Sequence, residues 1–250
     1  MYHAEQADYY ARYRPELHDV ALELHVSGER FGNGLDVGCG AGHSTHALLP
    51  YCQDIVGIDN SRAMLDRAMP AGKIRYRLVN GASWPVASGW ADLITLAGVL
   101  FYLDPIVLAR ELLRVAAPGC RVIVYDFTFD PIPVMKDLGV GDAGIAVSGY
   151  SASCDLPVSG HWKADGATSV REVDLFVPLH NIVWLLLAEE GCRIALLRRF
   201  GRRELVQQVI TRLTRTARAW NKYTVPFRVV AKAYRLRAQD DAGHRTVVAE

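Results

Sequence analysis

Several arrangements that would signal other chemistries are missing from this sequence. Its five cysteines, at positions 39, 52, 120, 154 and 192, form no C-x-x-C pair and do not cluster with histidine. That argues against a zinc site or a disulfide framework, leaves no metal expected, and points to reduced thiols. The longest apolar run beside a predicted helix, Ile182 to Ala188, is far too short to cross a bilayer. The opening stretch MYHAEQADYYARYRP lacks the apolar core of a secretory signal, so a cytoplasmic location and no membrane partner are expected. No Walker loop, Ser/His/Asp ordering or internal repeat is found. Charge of one sign is also scarce overall, with a net of +1, but it is unevenly spread. From Arg198 to Arg237 twelve Lys/Arg face one acid, Glu204, so this segment carries +11 and the remainder −10. One reading is a solvated surface salt-bridged to an acidic body; the other is attraction to an acidic substrate or to nucleic acid. No recognisable nucleic-acid-binding module accompanies the basic residues, which disfavours the last of these.

Half of the 250 residues are hydrophobic and 22% are charged, the balance of an ordinary globular enzyme. One stretch organises the chain: LDVGCGAGHSTHAL, residues 35–48. Leu35-Asp36-Val37 reads as the end of a buried strand, Gly38 to Gly42 as a tight turn, and Ser44 to Leu49 as the first turns of a helix. Glycines let a backbone approach a bulky ligand, and the N–H groups of a first helical turn point toward it. The dinucleotide fingerprint fails on its third glycine, where His43 stands. The spacing is instead D-x-G-x-G-x-G, over Asp36, Gly38, Gly40 and Gly42. Further on, Asp54 to Ile58 reads as a second buried strand ending in Asp59, a carboxylate suited to two vicinal ribose hydroxyls.

These residues resemble motif I and the following acidic position of the class I S-adenosylmethionine-dependent methyltransferases of small molecules. The resemblance implies a Rossmann-like, mostly parallel seven-stranded sheet with helices on both faces, in one domain over residues 1–250. It makes S-adenosyl-L-methionine the expected cofactor. Tyr9, Tyr13 and Arg14 match the family's N-terminal cap (residues 1–30), which folds over the cofactor; the alternative is that the tyrosines pack on the core and Arg14 is solvated. Asp36, Gly38, Cys39, Gly40 and Asp59 would form the turn and ribose site. Asn60 and Met64 would border the ribose and adenine, although Met64 also fits as core filler. After a third strand, Ile74 to Val79, the family commonly has an acid near the adenine. Here Ala82 stands in its place, leaving backbone groups or Ser83 for that contact.

Ala91 to Ala97 reads as the fourth strand, with Ala97 at the cofactor edge. Pro105 to Val115 reads as a helix stopped by Ala117-Pro118-Gly119, and Arg121 to Phe127 as the fifth strand. The run WADLI…ELLRVAAPGCRVIV resembles the family's later motifs. From Thr128 to Asp174 the pattern dissolves into Pro, Gly and Ser, and residues 128–177 are expected to be a lid-like, substrate-side insertion. A helix over Pro178–Glu190, a strand over Arg193–Phe200, a helix whose Leu205, Val209, Leu213 and Trp220 share a face, and a strand over Val225–Leu236 complete the chain.

The resemblance implies methyl transfer to an O, N or C atom of a small-molecule acceptor, and the irregular insertion suggests specialised biosynthesis by analogy. An acidic acceptor is one reading of the basic segment. His161, beside Trp162 in the insertion, is the best-placed general base, its alternative being a surface residue. Tyr102, Tyr150 and Trp162 are candidate substrate contacts. Two other functions stay open: a relative that binds S-adenosylmethionine but catalyses a non-methylating reaction, and a non-catalytic partner subunit. Either a monomer or a homodimer is compatible with the sequence.

Overall fold

The computed structural model describes residues 17–26, 28–141, 152–157, 160–215 and 222–237. Tyr9, Tyr13, Arg14, Tyr150 and Trp220 lie outside them, as does the first part of the expected cap. Five parallel strands form the body of one sheet: β1 (Phe31–Val37), β2 (Cys52–Asp59), β3 (Ile74–Leu78), β4 (Ala91–Ala97) and β5 (Ala116–Phe129), in the order β3-β2-β1-β4-β5. Three more strands extend it: β6 (Trp162–Ala164), β7 (Ser169–Pro178) and β8 (Lys222–Leu236). β8 runs antiparallel to β5, and both β6 and β7 pair with β8, giving eight strands among the described residues where seven were expected. The helices are α1 (His18–Val26), α2 (His43–Ala47), α3 (Arg62–Leu65), α4 (Pro105–Val115), α5 (Ile132–Asp137), α6 (Leu179–Ala188), α7 (Glu190–Phe200) and α8 (Leu205–Thr214).

Side-chain alternation along the strands builds a core on each face of the sheet. Leu35, Val37, Ile94, Leu96, Val122 and Val124 pack with Leu108, Leu112 and Val115 of α4. On the other face Leu93, Ile123, Tyr125 and Phe127 pack with α1 and with α5 to α8. Each such fully buried aliphatic side chain contributes roughly 1.5–3 kcal/mol, so the sheet is rigid where it meets the site. α4 starts where its sequence says it should. Asp104 accepts the N–H groups of Ile106 and Val107 at 2.8 and 3.0 Å, and Pro105 occupies the first turn.

Three expectations change. Arg193–Phe200 is helix, not strand. Gly191, Cys192, Ala195 and Leu196 are buried at helical spacing, and the break from α6 falls at the extended Glu189 (φ −81°, ψ 116°). The expected irregular stretch 128–174 holds α5, β6 and most of β7. β7 was obscured because it is charged and exposed along much of its length, with Arg171, Glu172 and Asp174 beside Phe176. Ala117-Pro118-Gly119 ends α4 but lies within β5, as a bulge: Ala91 pairs with Ala116 while Leu93 pairs with Arg121.

Candidate functional site

The carboxyl ends of the five parallel strands share one edge of the sheet, and register lines them up. Leu78 lies opposite Asp59, Ile58 opposite Val37, Val37 opposite Leu96, and Ala97 opposite Tyr125. The chain leaves β1 through Gly38, Gly40 and Gly42, all at positive φ (69°, 53° and 88°). The N–H groups of Gly38 and Cys39 both donate to the Ile58 carbonyl, at 2.8 and 3.0 Å, which pins the turn to β2. Gly38 and Gly42 have no room for a side chain. A Cβ on Gly38 would lie 2.2 Å from Val99, and one on Gly42 would lie 2.2 Å from the Tyr76 hydroxyl.

Asp36 braces this turn from below. Its side chain has no exposed surface and accepts hydrogen bonds from Ser44 (2.6 Å), Thr45 (2.7 Å) and Thr95 (2.9 Å). Burial pushes its carboxyl up to about 6, against the opposing pull of those three hydroxyls. Asp36, expected at the cofactor, holds α2 and β4 to the turn through these bonds. Cys39 is likewise buried, and burial raises its thiol far above the ordinary range, so it is a neutral packing group.

Asp59 is half-buried at the tip of β2, and its two oxygens do different work. Oδ2 accepts the Gly40 N–H at 2.9 Å, and Oδ1 accepts the Ser61 N–H at 2.7 Å. The glycine turn and the acid, nineteen residues apart, thus meet directly. Asn60 beside it is exposed, whereas Met64 is only 2% exposed and sits behind the tip. Ser61 caps the short α3, its hydroxyl accepting the Met64 N–H.

The loop after β3 carries Ala82 and Ser83 on the surface at the same edge. A charged cluster on α4, which sequence reasoning did not single out, holds it. Buried Glu111 accepts the Trp84 N–H at 2.7 Å and pairs with Arg114 at 2.7 Å and Arg110 at 3.3 Å. Arg114 donates to the carbonyls of Trp84 and Val86, and Arg110 to that of Ala82. Hydrogen bonding to Arg114, foremost, holds the Glu111 carboxyl down at about 2.

Gly98, Leu100, Phe101, Asp126 and Ser153 come together beside the ends of β4 and β5. Phe101 and Tyr102, in the helical turn after β4, are exposed and meet edge to face, with ring centroids 5.4 Å apart. Asp126 is buried, at 5% exposure, one residue beyond the Ala97–Tyr125 pairing. Its sequence signal was available: a lone carboxylate interrupting the apolar strand VIVYDF near its carboxyl end.

His161 and Trp162 lie at the wrong end of the sheet for the roles expected of them. Trp162 pairs with Leu236, next to the pairing of Arg235 with Arg121 near the start of β5. That is five residues along β5 from Asp126, or at least about 16 Å at strand rise. His161 is exposed there and Trp162 packs in the core. Other histidines are engaged elsewhere: His46 bonds the Met69 carbonyl at 2.8 Å, and His180 accepts from Trp184 at 2.9 Å on the surface of α6. In the basic segment, exposed Arg198, Arg199, Arg202, Arg203, Arg212 and Arg215 have no carboxylate within 4.0 Å among the described residues. No group of three potential metal ligands occurs among those residues, and no helix in them is long and apolar enough to cross a membrane.

Residues 35–124 match the family model described as a methyltransferase domain. Nodulation protein S of Sinorhizobium fredii is 30% identical over 122 residues, covering 44% of this chain and 55% of that protein. Demethylmenaquinone methyltransferase of Clavibacter sepedonicus is 32% identical over 116 residues, covering 44% of this chain and 46% of its own. The chain therefore spans about half the length of these curated relatives. A solved structure from Anaeromyxobacter dehalogenans, described as a candidate type II methyltransferase, shares the fold with a TM-score of 0.64 at 19% identity, covering 88% of this chain and 95% of that one. The matched stretch, residues 35–124, holds the glycine turn, Asp59 and the parallel strands β1 to most of β5, so this part of the chain is similar to a methyltransferase domain and the chain shares the fold of that solved structure.

Proposed function

We propose that this chain binds S-adenosylmethionine across the carboxyl ends of β1, β2 and β4 and transfers its methyl group to a small-molecule acceptor, with specialised biosynthesis as the setting. The observation that carries the reading is the Asp59 carboxylate held against the Gly40 N–H at 2.9 Å. An ionised carboxylate has about four acceptor sites. Asp59 uses one on each oxygen for backbone N–H groups, so each oxygen keeps capacity for one of two vicinal ribose hydroxyls. The glycines of the turn, Gly38, Gly40 and Gly42, let backbone approach the nucleoside, and exposed Ala82 and Ser83 offer backbone and hydroxyl groups to its base. Ala97 and Gly98 stand on the side toward β4, where the amino-acid end would lie. The residues fit the group.

When bound, the cofactor supplies an electrophilic methyl on a sulfonium whose leaving thioether needs no activation. The chain's own task is then alignment, which in favourable systems supplies on the order of 7–11 kcal/mol. Rigid strand tips suit that task better than loops. Titration calorimetry with S-adenosylhomocysteine tests the reading: binding is expected, and Asp59→Ala should weaken it by tenfold or more, roughly 1.4 kcal/mol. Unchanged affinity in that variant would remove Asp59 from the ribose. No binding by the wild type would favour a non-catalytic role. Binding without methyl transfer to any acceptor would favour a non-methylating reaction.

A further inference from the structure

We propose that the arginine ridge formed by α7, α8 and the link between them docks on an anionic lipid surface. Between positions 193 and 215 stand seven arginines and one acid, Glu204. Arg193 pairs with Glu190 at 3.8 Å. Exposed Arg198, Arg199, Arg202, Arg203, Arg212 and Arg215 have no carboxylate within 4.0 Å among the described residues, so their charge is not neutralised within the chain. Gln208 joins them into one surface. From α8 it donates to the carbonyls of Phe200 (3.3 Å) and Arg203 (2.8 Å), so its face of the helix starts at the arginine link. Arg212 and Arg215 follow Gln208 at i+4 and i+7 on that same face, which carries the charge about 15 Å along α8.

Helix capping does not explain the cluster. The Gly201 N–H already donates to the Leu197 carbonyl at 2.9 Å, and Gln208 meets that of Phe200. A helix end carries about half a negative charge, against which Arg198, Arg199, Arg202 and Arg203 set four positive ones. What the ridge lacks then selects its partner. No large hydrophobic side chain between 193 and 215 is exposed, so the apolar anchors of a stable protein interface are missing. Half-buried Phe200 already has the Arg199 guanidinium 5.4 Å from its ring centre, which leaves no open aromatic platform for single-stranded bases. Helix-turn-helix readers of a duplex use the N-terminal residues of a helix, whereas these arginines gather toward the carboxyl ends of α7 and α8. Anionic headgroups move laterally, meet irregularly placed cations without a register, and attract them by charge alone. Such a contact needs no spanning helix, so the expectation of no membrane partner, which came from the lack of spanning and signal segments, does not bear on it.

The test is sedimentation of the full chain with vesicles of phosphatidylcholine, either alone or mixed with phosphatidylserine. The chain should sediment with the mixed vesicles only, and added salt should release it. Each arginine at such a surface changes partitioning by about fivefold, so replacing both Arg202→Gln and Arg203→Gln should weaken binding by about 25-fold. Lys73→Gln with Arg75→Gln removes the same charge at β3, on the other edge of the sheet, and should leave binding unchanged. All four side chains are exposed, so the melting temperature should stay at the wild-type value in both variants, which separates lost docking from lost folding. Equal sedimentation with neutral vesicles, none with mixed ones, undiminished binding in the ridge variant, or an equal loss in the β3 variant would each overturn the proposal. Tighter binding to a DNA or RNA duplex than to the mixed vesicles would overturn it too, by assigning the ridge to a phosphodiester backbone.

Discussion

Asp36 on β1 and Thr95 on β4 are register partners in neighbouring strands, and the threonine hydroxyl donates to the buried carboxylate over 2.9 Å. The Asp36 carboxyl, raised by burial to about 6, makes stability depend on pH with a definite sign. Below about pH 4 folded and unfolded chains both hold the proton, and above the folded value neither does. Between the two the folded state binds the proton more tightly, so raising the pH from about 4 to 6 lowers stability, by on the order of 2–3 kcal/mol. Urea unfolding of wild type and Asp36→Asn across that range checks this. The variant should lack this contribution to the slope; parallel curves would show that Asp36 is not the titrating group.

Glu111 behaves in the opposite sense. Its carboxyl is held down at about 2, chiefly by Arg114, so its contribution is present above the unfolded value near 4 and is lost as pH falls toward 2. Glu111→Gln leaves Arg114 and the Trp84 N–H with a poorer partner and should cost about 1–3 kcal/mol at neutral pH. The difference from wild type should shrink in acid. A difference that stays constant down to pH 2 would mean that the Glu111 charge is not what holds the loop.

Gly42 and Tyr76 supply a test of the turn. Gly42→Ala puts a Cβ 2.2 Å from the Tyr76 hydroxyl and also places alanine at φ 88°. Adding Tyr76→Phe removes the atom met first, but not the neighbouring ring carbon at 2.8 Å or the backbone strain of roughly 1–2 kcal/mol. The double variant should be destabilised less than Gly42→Ala, yet should remain below wild type in urea unfolding. Equal losses in single and double variants would mean that the contact adds nothing to the strain.

His161→Ala should leave stability within about 0.5 kcal/mol of wild type, because the side chain is exposed. Affinity for S-adenosylhomocysteine and the turnover of any methyl acceptor should not change either, since this residue sits toward the opposite end of β5. A loss of turnover with unchanged cofactor affinity would return His161 to the site.

Local signals and long-range pairing divide this protein between them. Pro105 to Val115 was legible because its capping aspartate, leading proline and apolar spacing all act within one helix. The strands β1, β2 and β4 were legible because each carries a short buried apolar run toward its carboxyl end. β6 and β7 were not, because their partner β8 comes some sixty residues later and supplies both the pairing and the burial. Nor was α7: Arg193 to Phe200 suits either period in isolation, and packing beside α6 and α8 selects helix.

The site divides along the same line. By itself the sequence determined the glycine turn, the acid that follows β2 and the order of the parallel units, since each is a short run whose backbone requirements are local. Only the tertiary structure decided what the polar side chains do. Asp36 proved to be a buried brace, His161 stands toward the far end of β5, and Asp126 is buried, accepting the Phe127 N–H. Burial and hydrogen-bond partners arise from residues distant in the chain, and these, rather than residue type, give a carboxylate or an imidazole its role.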